Sequence, residues 1–407
     1  MKYGLVVFKE TTNLGDDIQS YSIKKLLPQV DYYIEREKLN EFTSTNDNEI
    51  VKAIIGGWYN HDKCSFPPSP FIYPLFISIH LTDELSNQEP CYFTNYFLDY
   101  LKKYEPIGLR DDVVKKYLEE KNIKNYFSGC TTLTLEKFKD VKKTDNICLV
   151  DLDYFTTANI KAKYENVITM THHVDKEYTN MSYEERFAYV ENVLKTYQSS
   201  KLVITTRLHC ALPCLALGVP VLLVYDGTDI DISNRLSKYT KMVNYVSKEE
   251  FQKNYDNLIK NIKDNPNEFV KYKKTILNNI KDFLNEPINK DKDLNSKLYY
   301  EYFVKQKENF EKIFNEKVRL ITLESNERYE LLKEKEKELK KESLINEALM
   351  KENELYKNNF QKLVDDFEKT NAQLYQITNS RSYKLALKFN SLFSFLRKIK
   401  NKLRRSK

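Results

Sequence analysis

The residues best able to do chemistry cluster in Thr205-Thr206-Arg207-Leu208-His209-Cys210-Ala211-Leu212-Pro213. A short apolar run ends at Thr206 and a helical pattern opens at Leu208, so Arg207 and His209 fall on a strand-to-helix turn. A helix start offers N–H donors and a partial positive charge. Arginine, histidine and a helix start together suit a phosphate or a carboxylate. The two side chains share a side only if the turn is locally extended. The same residues would also serve as a capping arginine and a partly buried histidine, and the local pattern does not separate these readings.

Other strand ends carry further candidates. Gly108-Leu109-Arg110-Asp111 supplies a second arginine, which could face the first across a cleft or pair with Asp111 or Asp112. Asn13-Leu14-Gly15-Asp16-Asp17 has one glycine, so it is no GxGxxG phosphate cradle. Asn13 and Asp16 could bind sugar hydroxyls or cap the helix that follows. Gly56-Gly57 permits close backbone approach to a ligand, or a tight turn. His172-His173 would need a third ligand to hold a metal and none is evident, so both read as polar loop histidines. No Ser-His-Asp order, P-loop or metalloprotease motif is present.

The elements that must position these residues alternate. Lys2–Phe8 reads as a buried strand, Thr11–Asp17 as a polar loop, and Ile18, Ile23, Leu26 and Leu27 as a helical stripe stopping at Pro28. Strands follow at Asp31–Glu35, Val51–Ile55 (ending at the glycine pair), Pro74–Ile79, Pro106–Leu109 and Asn125–Ser128, with a helix over Asp112–Glu120. A second alternation has strands Ile147–Val150, Val167–Met170, Lys201–Thr206 and Val219–Tyr225. Its helices are Ser182–Tyr197 and Leu208–Leu217. Strands alternating with helices predict parallel sheets. The expected fold is α/β, with two doubly wound Rossmann-like domains facing each other across a cleft. Ligands in such sheets sit at the carboxyl ends of the strands, which singles out the loops after Phe8, Ile55, Leu109, Met170 and Thr206.

The expected organisation is 1–142 and 143–287 for the two α/β domains, 288–379 for a helical coiled-coil region and 380–407 for a basic amphipathic tail helix. All eight glycines lie between Gly4 and Gly227, and the 120 residues after Pro287 contain neither glycine nor proline. Phe314 to Ile377 follows a heptad register that would pair two chains, although Arg328, Lys335, Glu342, Asn346 and Asn353 interrupt it. From Leu385 to Leu403 an apolar stripe is flanked by lysines and arginines, a pattern suited to an anionic membrane surface.

Net charge is +6, but Ser380–Lys407 holds ten basic residues and no acid; without them 55 basic residues face 59 acidic ones. The mildly acidic body does not point to nucleic acid. Six scattered cysteines form no CxxC pair, which fits neither a disulfide framework nor a zinc site and suits a reducing cytoplasm. Cys210 and Cys214 share a helix face and read as buried small side chains. The start MKYGLVVFKE has too short an apolar run for a signal peptide.

Taken in order, these motifs resemble the polysaccharide pyruvyl transferase family from Lys2 to about Val246. The match uses Asn13-Leu14-Gly15-Asp16, Gly56-Gly57 and Ile107-Gly108-Leu109-Arg110-Asp111. It continues with Ser128-Gly129-Cys130-Thr131-Thr132-Leu133-Thr134-Leu135, then Thr206–Pro213 and Gly218-Val219-Pro220-Val221. Trp58 departs from the small polar residues common after the glycine pair. The resemblance implies a GT-B-like architecture and transfer of the pyruvyl unit of phosphoenolpyruvate onto sugar hydroxyls, with no cofactor and no metal. It implies that Arg110 and Arg207 clamp the donor, assisted by the backbone at Leu208. His209 becomes the general acid, and Asn13, Asp16 and Gly57 meet substrate. Expected partners are phosphoenolpyruvate, a cell-surface glycan or its lipid-linked precursor, an anionic membrane through the tail, and a second copy through the coiled coil. The expected location is cytoplasmic, at the inner face of the membrane. Two other readings stand beside it: a nucleotide-sugar glycosyltransferase using Asp226, Asp229 or Asp231, and a non-catalytic scaffold for glycan assembly.

Overall fold

The computed structural model describes residues 1–44, 49–59, 67–81, 95–225, 236–288, 316, 319–331, 333, 335 and 346–377. Two parallel sheets form the body. The first joins β1 (Lys2–Val7), β2 (Tyr32–Glu35), β3 (Val51–Tyr59), β4 (Ile72–Leu81), β5 (Ile107–Leu109) and β6 (Asn125–Phe127) in the order β2-β1-β3-β4-β5-β6. The second joins β7 (Ile147–Val150), β8 (Val167–Met170), β9 (Leu202–Thr205), β10 (Val221–Tyr225) and β11 (Asn244–Ser247) in the order β11-β10-β9-β7-β8. Among the described residues all neighbouring strands pair in parallel. Both orders reverse beside their first strand, between β1 and β3 and between β7 and β9. Such reversals open a crevice at the carboxyl ends.

The helices are α1 (Leu14–Lys24), α2 (Asn95–Lys103), α3 (Lys115–Glu120), α4 (Tyr154–Lys163), α5 (Lys176–Asn180), α6 (Tyr183–Ser199), α7 (Leu208–Leu217), α8 (Lys248–Lys260), α9 (Phe269–Asn285) and α10 (Asn346–Ile377). Period-2 alternation divides the second sheet between two cores. Cys148, Val150, Val203 and Leu223 join an apolar cluster continuous with the first sheet, while Ile147, Leu149, Leu202, Ile204, Leu222 and Val224 pack with Phe251 on the other face. One core therefore runs through both sheets. A 3-10 turn at Thr131–Thr134 touches α1, α7 and α9. Ser22 on α1 donates to Thr131 Oγ1 there at 2.9 Å.

Several expectations are corrected. The polar stretch Thr11–Asp17 is half helical: α1 begins at Leu14, because the Asn13 carboxamide oxygen accepts from the Gly15 N–H at 3.1 Å. The strand expected to stop at Ile55 runs through both glycines to Tyr59, with a register shift between Ile55 and Gly57. Helix α9 falls inside the expected second domain, yet it packs on the first sheet. Phe283 stacks on Tyr73 at 5.9 Å, Asn279 bonds the Tyr126 hydroxyl, and Lys52 Nζ donates to the carbonyls of Phe283, Leu284 and Glu286.

Within the chain, some of the heptad positions meet one another. Arg328 donates to the Tyr356 hydroxyl at 2.7 Å, and Ile321 faces the same gap as Phe360 and Leu363. Phe367 is buried and α10 packs on the 3-10 segment Arg36–Glu41. The basic helix expected at 380–407 lies outside the described residues. No helix among the described residues is long and apolar enough to cross a membrane.

Candidate active site

A cavity of about 240 Å³ opens where the carboxyl ends of the two sheets meet. Asn13 and Asp16 follow β1, Trp58 lies in β3, and Arg110 and Asp111 follow β5. From the second sheet come His172, Thr206, Arg207, Leu208 and His209, with Leu223 and Tyr225 of β10 and the later Leu236 and Tyr239. The five loops singled out by strand order all reach this wall or the strand beside it.

Arg207 is the residue before α7 and has extended backbone (φ −101°, ψ 122°). This meets the condition under which Arg207 and His209 share a side, and both line the cavity. Leu208 and His209 are the first two residues of α7, where backbone N–H groups have no intrahelical acceptor. Arg207 is held: its Nε donates to Asp151 Oδ2 at 2.8 Å and its Nη2 bonds His173 Nε2. Asp151 follows β7 with φ +55°, a left-handed conformation uncommon outside glycine, asparagine and aspartate. Burial alone would raise the Asp151 pKa. Hydrogen bonds from the Thr171 hydroxyl, the His172 N–H and Arg207 outweigh it and hold the carboxylate below its ordinary value. Asp151 and Arg207 therefore straddle the reversal between β7 and β9 as an ionised pair.

Arg110 faces them from the first sheet. It is buried, donates to Gln19 Oε1 at 3.2 Å and lies 3.8 Å from Asp111. The neighbouring Asp111 bonds His80 Nδ1, and the Tyr239 hydroxyl donates to the Arg110 carbonyl at 2.7 Å. The cavity and the ion pair with Asp111 thus coexist in one arginine.

Asp16 receives a 2.7 Å hydrogen bond from Thr11. Burial raises its pKa, opposed by that hydrogen bond and by the Arg36 and Arg110 charges. His209 rests on the same helical turn: a Cβ built on Gly15 would lie 2.9 Å from its Nδ1.

Two expectations change here. Gly57 is not among the cavity-lining residues. Its φ of +114° admits glycine, and a Cβ there would strike the Phe8 ring at 2.9 Å, while one on Gly56 would strike the Ile77 carbonyl at 2.7 Å. The pair serves backbone geometry and packing. His172 is no polar loop residue: it is buried, its Nε2 bonds the Tyr197 hydroxyl at 2.7 Å, and burial lowers its pKa to about 4. Among the described residues no cluster of three His, Cys, Asp or Glu could hold a metal. Cys210 and Cys214 are buried free thiols, as read from the sequence. Sequence reasoning missed Asp151 and Tyr239; the end of β7 at a strand-order reversal was the signal that could have found Asp151.

Two parallel sheets bring arginines from opposite walls to one cavity lined by polar and charged side chains, an arrangement suited to an anionic ligand. A model of the polysaccharide pyruvyl transferase family matches residues 13–227, just over half the chain, and the protein belongs to that family of transferases, whose acceptors are polysaccharides. Among solved structures it is similar to a protein of uncharacterised function from Klebsiella pneumoniae subsp. pneumoniae NTUH-K2044. Identity is 12%, with 60% of this chain and 92% of that one covered and a TM-score of 0.36. No curated protein matches the chain.

Proposed function

We propose that the protein transfers the pyruvyl unit of phosphoenolpyruvate onto hydroxyls of a cell-surface polysaccharide or its lipid-linked precursor, releasing phosphate. The observation that carries this reading is the convergence of Arg110 and the Arg207-Leu208-His209 turn on one cavity from two sheets. Phosphoenolpyruvate carries a phosphate and a carboxylate on three carbons. Guanidinium groups bind both anions, and two arginines on opposite walls fix both ends. The N–H groups at the start of α7 add donors to the same anion.

In this mechanism His209 protonates the C3 methylene, so that C2 gains oxocarbenium character. An acceptor hydroxyl attacks C2, the C2–O bond to phosphate breaks, and a second hydroxyl closes a ketal. No step calls for a metal. The basic tail would hold the enzyme at the cytoplasmic face of a membrane, near a lipid-linked acceptor, with a second copy adding avidity. The glycosyltransferase reading depends on Asp226, Asp229 and Asp231, which lie outside the described residues.

The test has two arms. Titration with phosphoenolpyruvate, UDP-sugars and GDP-sugars should give binding with phosphoenolpyruvate alone. Mass spectrometry of the host's surface glycan should show a pyruvate-ketal increment that disappears when the gene is deleted. Binding of a nucleotide sugar in place of phosphoenolpyruvate, or an unchanged glycan mass, would overturn the proposal.

A further inference from the structure

The reaction proposed above needs a base as well as an acid, because the attacking hydroxyl must lose its proton. Among the described residues two carboxylates line the cavity, Asp16 and Asp111. Asp111 is committed to its neighbours: it bonds His80, lies beside Arg110 and accepts from the Val113 N–H. Asp16 is differently placed. Its Oδ2 takes the Thr11 hydroxyl at 2.7 Å, while among the described residues its Oδ1 has the Gln19 carboxamide alone, at the 3.5 Å limit of a hydrogen bond. One oxygen is anchored and the other is weakly held at the cavity wall.

The position relative to His209 matters more. Gly15 is in van der Waals contact with the imidazole, since a Cβ there would lie 2.9 Å from Nδ1 and 3.0 Å from the His209 Cβ. Asp16 is the next residue of α1. One helical turn therefore carries the carboxylate and receives the imidazole from the other sheet. Arg110 on the same wall completes the set.

We propose that Asp16 is the general base of the transfer, accepting the proton of the attacking acceptor hydroxyl while His209 protonates C3. This rests on the phosphoenolpyruvate reading. The balance is as follows. The acceptor O–H bond breaks and its proton goes to Asp16. The acceptor oxygen forms its bond to C2, and the C2=C3 electron pair takes the His209 proton to make a methyl group. In the second half the C2–O bond to phosphate breaks, the second hydroxyl's oxygen forms its bond to C2 to close the ketal, and its proton leaves with phosphate. Asp16 returns its proton to solvent as His209 regains one. The raised pKa of Asp16 supports this role, since a carboxylate with higher proton affinity is the stronger base.

The experiment uses the full chain and the host's surface polysaccharide, stripped of ketals by mild acid, as acceptor. Phosphate release and phosphoenolpyruvate binding by calorimetry are measured for wild type, D16N and D16E between pH 4.5 and 9. Wild type that neither binds phosphoenolpyruvate nor releases phosphate overturns the donor reading itself. If wild type is active, D16N should lose about 10²–10⁴-fold in turnover with donor affinity unchanged, and its rate should no longer fall on the acid side. D16E should keep an acid-side fall with a shifted midpoint. D16N turnover within about threefold of wild type, or an unaltered acid limb, overturns the proposal. Loss of the alkaline limb instead would make Asp16 an acid and overturn it equally. Should D16N not fold, D16E decides, and an unshifted limb counts against the base.

Discussion

Gly15 and His209 are in contact across the two sheets, closely enough that a Cβ on the glycine would sit 2.9 Å from the imidazole Nδ1. The first turn of α1 is therefore a seat for a residue delivered by α7. Gly15 is helical, where alanine is favoured by roughly 0.5–1 kcal/mol over glycine. Against that preference, a Cβ at 2.9 Å from His209 Nδ1, 3.0 Å from its Cβ and 3.2 Å from the Asn13 capping oxygen forces a shift, so Gly15→Ala should lower thermal stability and lower turnover by at least about tenfold as the imidazole is displaced. Phosphoenolpyruvate affinity should stay within about threefold of wild type. A melting curve beside a phosphate-release assay checks this, and full activity in the alanine variant would mean the contact does not set the geometry.

Arg207 is aimed by Asp151, and the aim can be tested apart from the charge. Arg207→Ala and Arg110→Ala should each weaken phosphoenolpyruvate binding by about 10-fold or more, since a charge-assisted hydrogen bond to a dianion is lost. Asp151→Asn keeps a side chain tolerant of the left-handed backbone but releases the guanidinium. It should weaken binding in the same direction by a smaller factor. Calorimetric titration of the three variants gives the order, and normal binding by Arg110→Ala would remove the first sheet from the clamp.

Asp17 on α1 and Arg186 on α6 join the sheets through a buried ion pair at 2.6 Å, each side chain 1% exposed. The guanidinium also donates to the carbonyls of Phe8 and Lys9, and the Tyr178 hydroxyl donates to Asp17. Removing one partner strands the other charge in the core. Arg186→Ala should therefore cost about 3–5 kcal/mol, read as a lower denaturant midpoint. Arg186→Met, of similar volume, should cost comparably as long as Asp17 remains. Asp17→Asn combined with Arg186→Met should recover part of the loss.

His172 predicts an acid sensitivity with a definite sign. Its folded pKa, about 4, lies below the ordinary 6.5 because burial disfavours the imidazolium. Between those values the unfolded chain binds more protons than the folded one, so stability rises with pH and is lost as pH falls from about 6.5 to about 4. A shift of this size corresponds to about 3 kcal/mol. His172→Gln should flatten that window in denaturant titrations at pH 7 and pH 4.5. An equal acid loss in the variant would move the effect to other groups.

Much of this was legible in the sequence where local pattern and tertiary demand agree. Helix Leu208–Leu217 and strands Ile147–Val150 and Val167–Met170 have the bounds their periodicity gives. The strand end before Arg110 is at Leu109 as expected, and the one before Arg207 comes one residue early, at Thr205. The rest depends on contacts distant in sequence. Nothing near Gly57 announces Phe8, and nothing near His172 announces Tyr197. Helix α9 follows the second sheet in sequence and its period fits either sheet; only Tyr73, Tyr126 and Lys52 decide where it lies. The heptad seam specifies that its residues need a partner helix without specifying whose.

That last placement of α9 sets the smallest piece of the chain that can stand alone. The segment matched by the family ends at residue 227, but Phe283 and the carbonyls gripped by Lys52 come after it. A fragment cut at 227 would take away the three carbonyls that hold the Lys52 ammonium and the Phe283 ring stacked on Tyr73. Recombinant truncations, domain swaps and gene fusions should keep the chain intact to residue 288, and those that stop short are expected in inclusion bodies rather than in the soluble fraction.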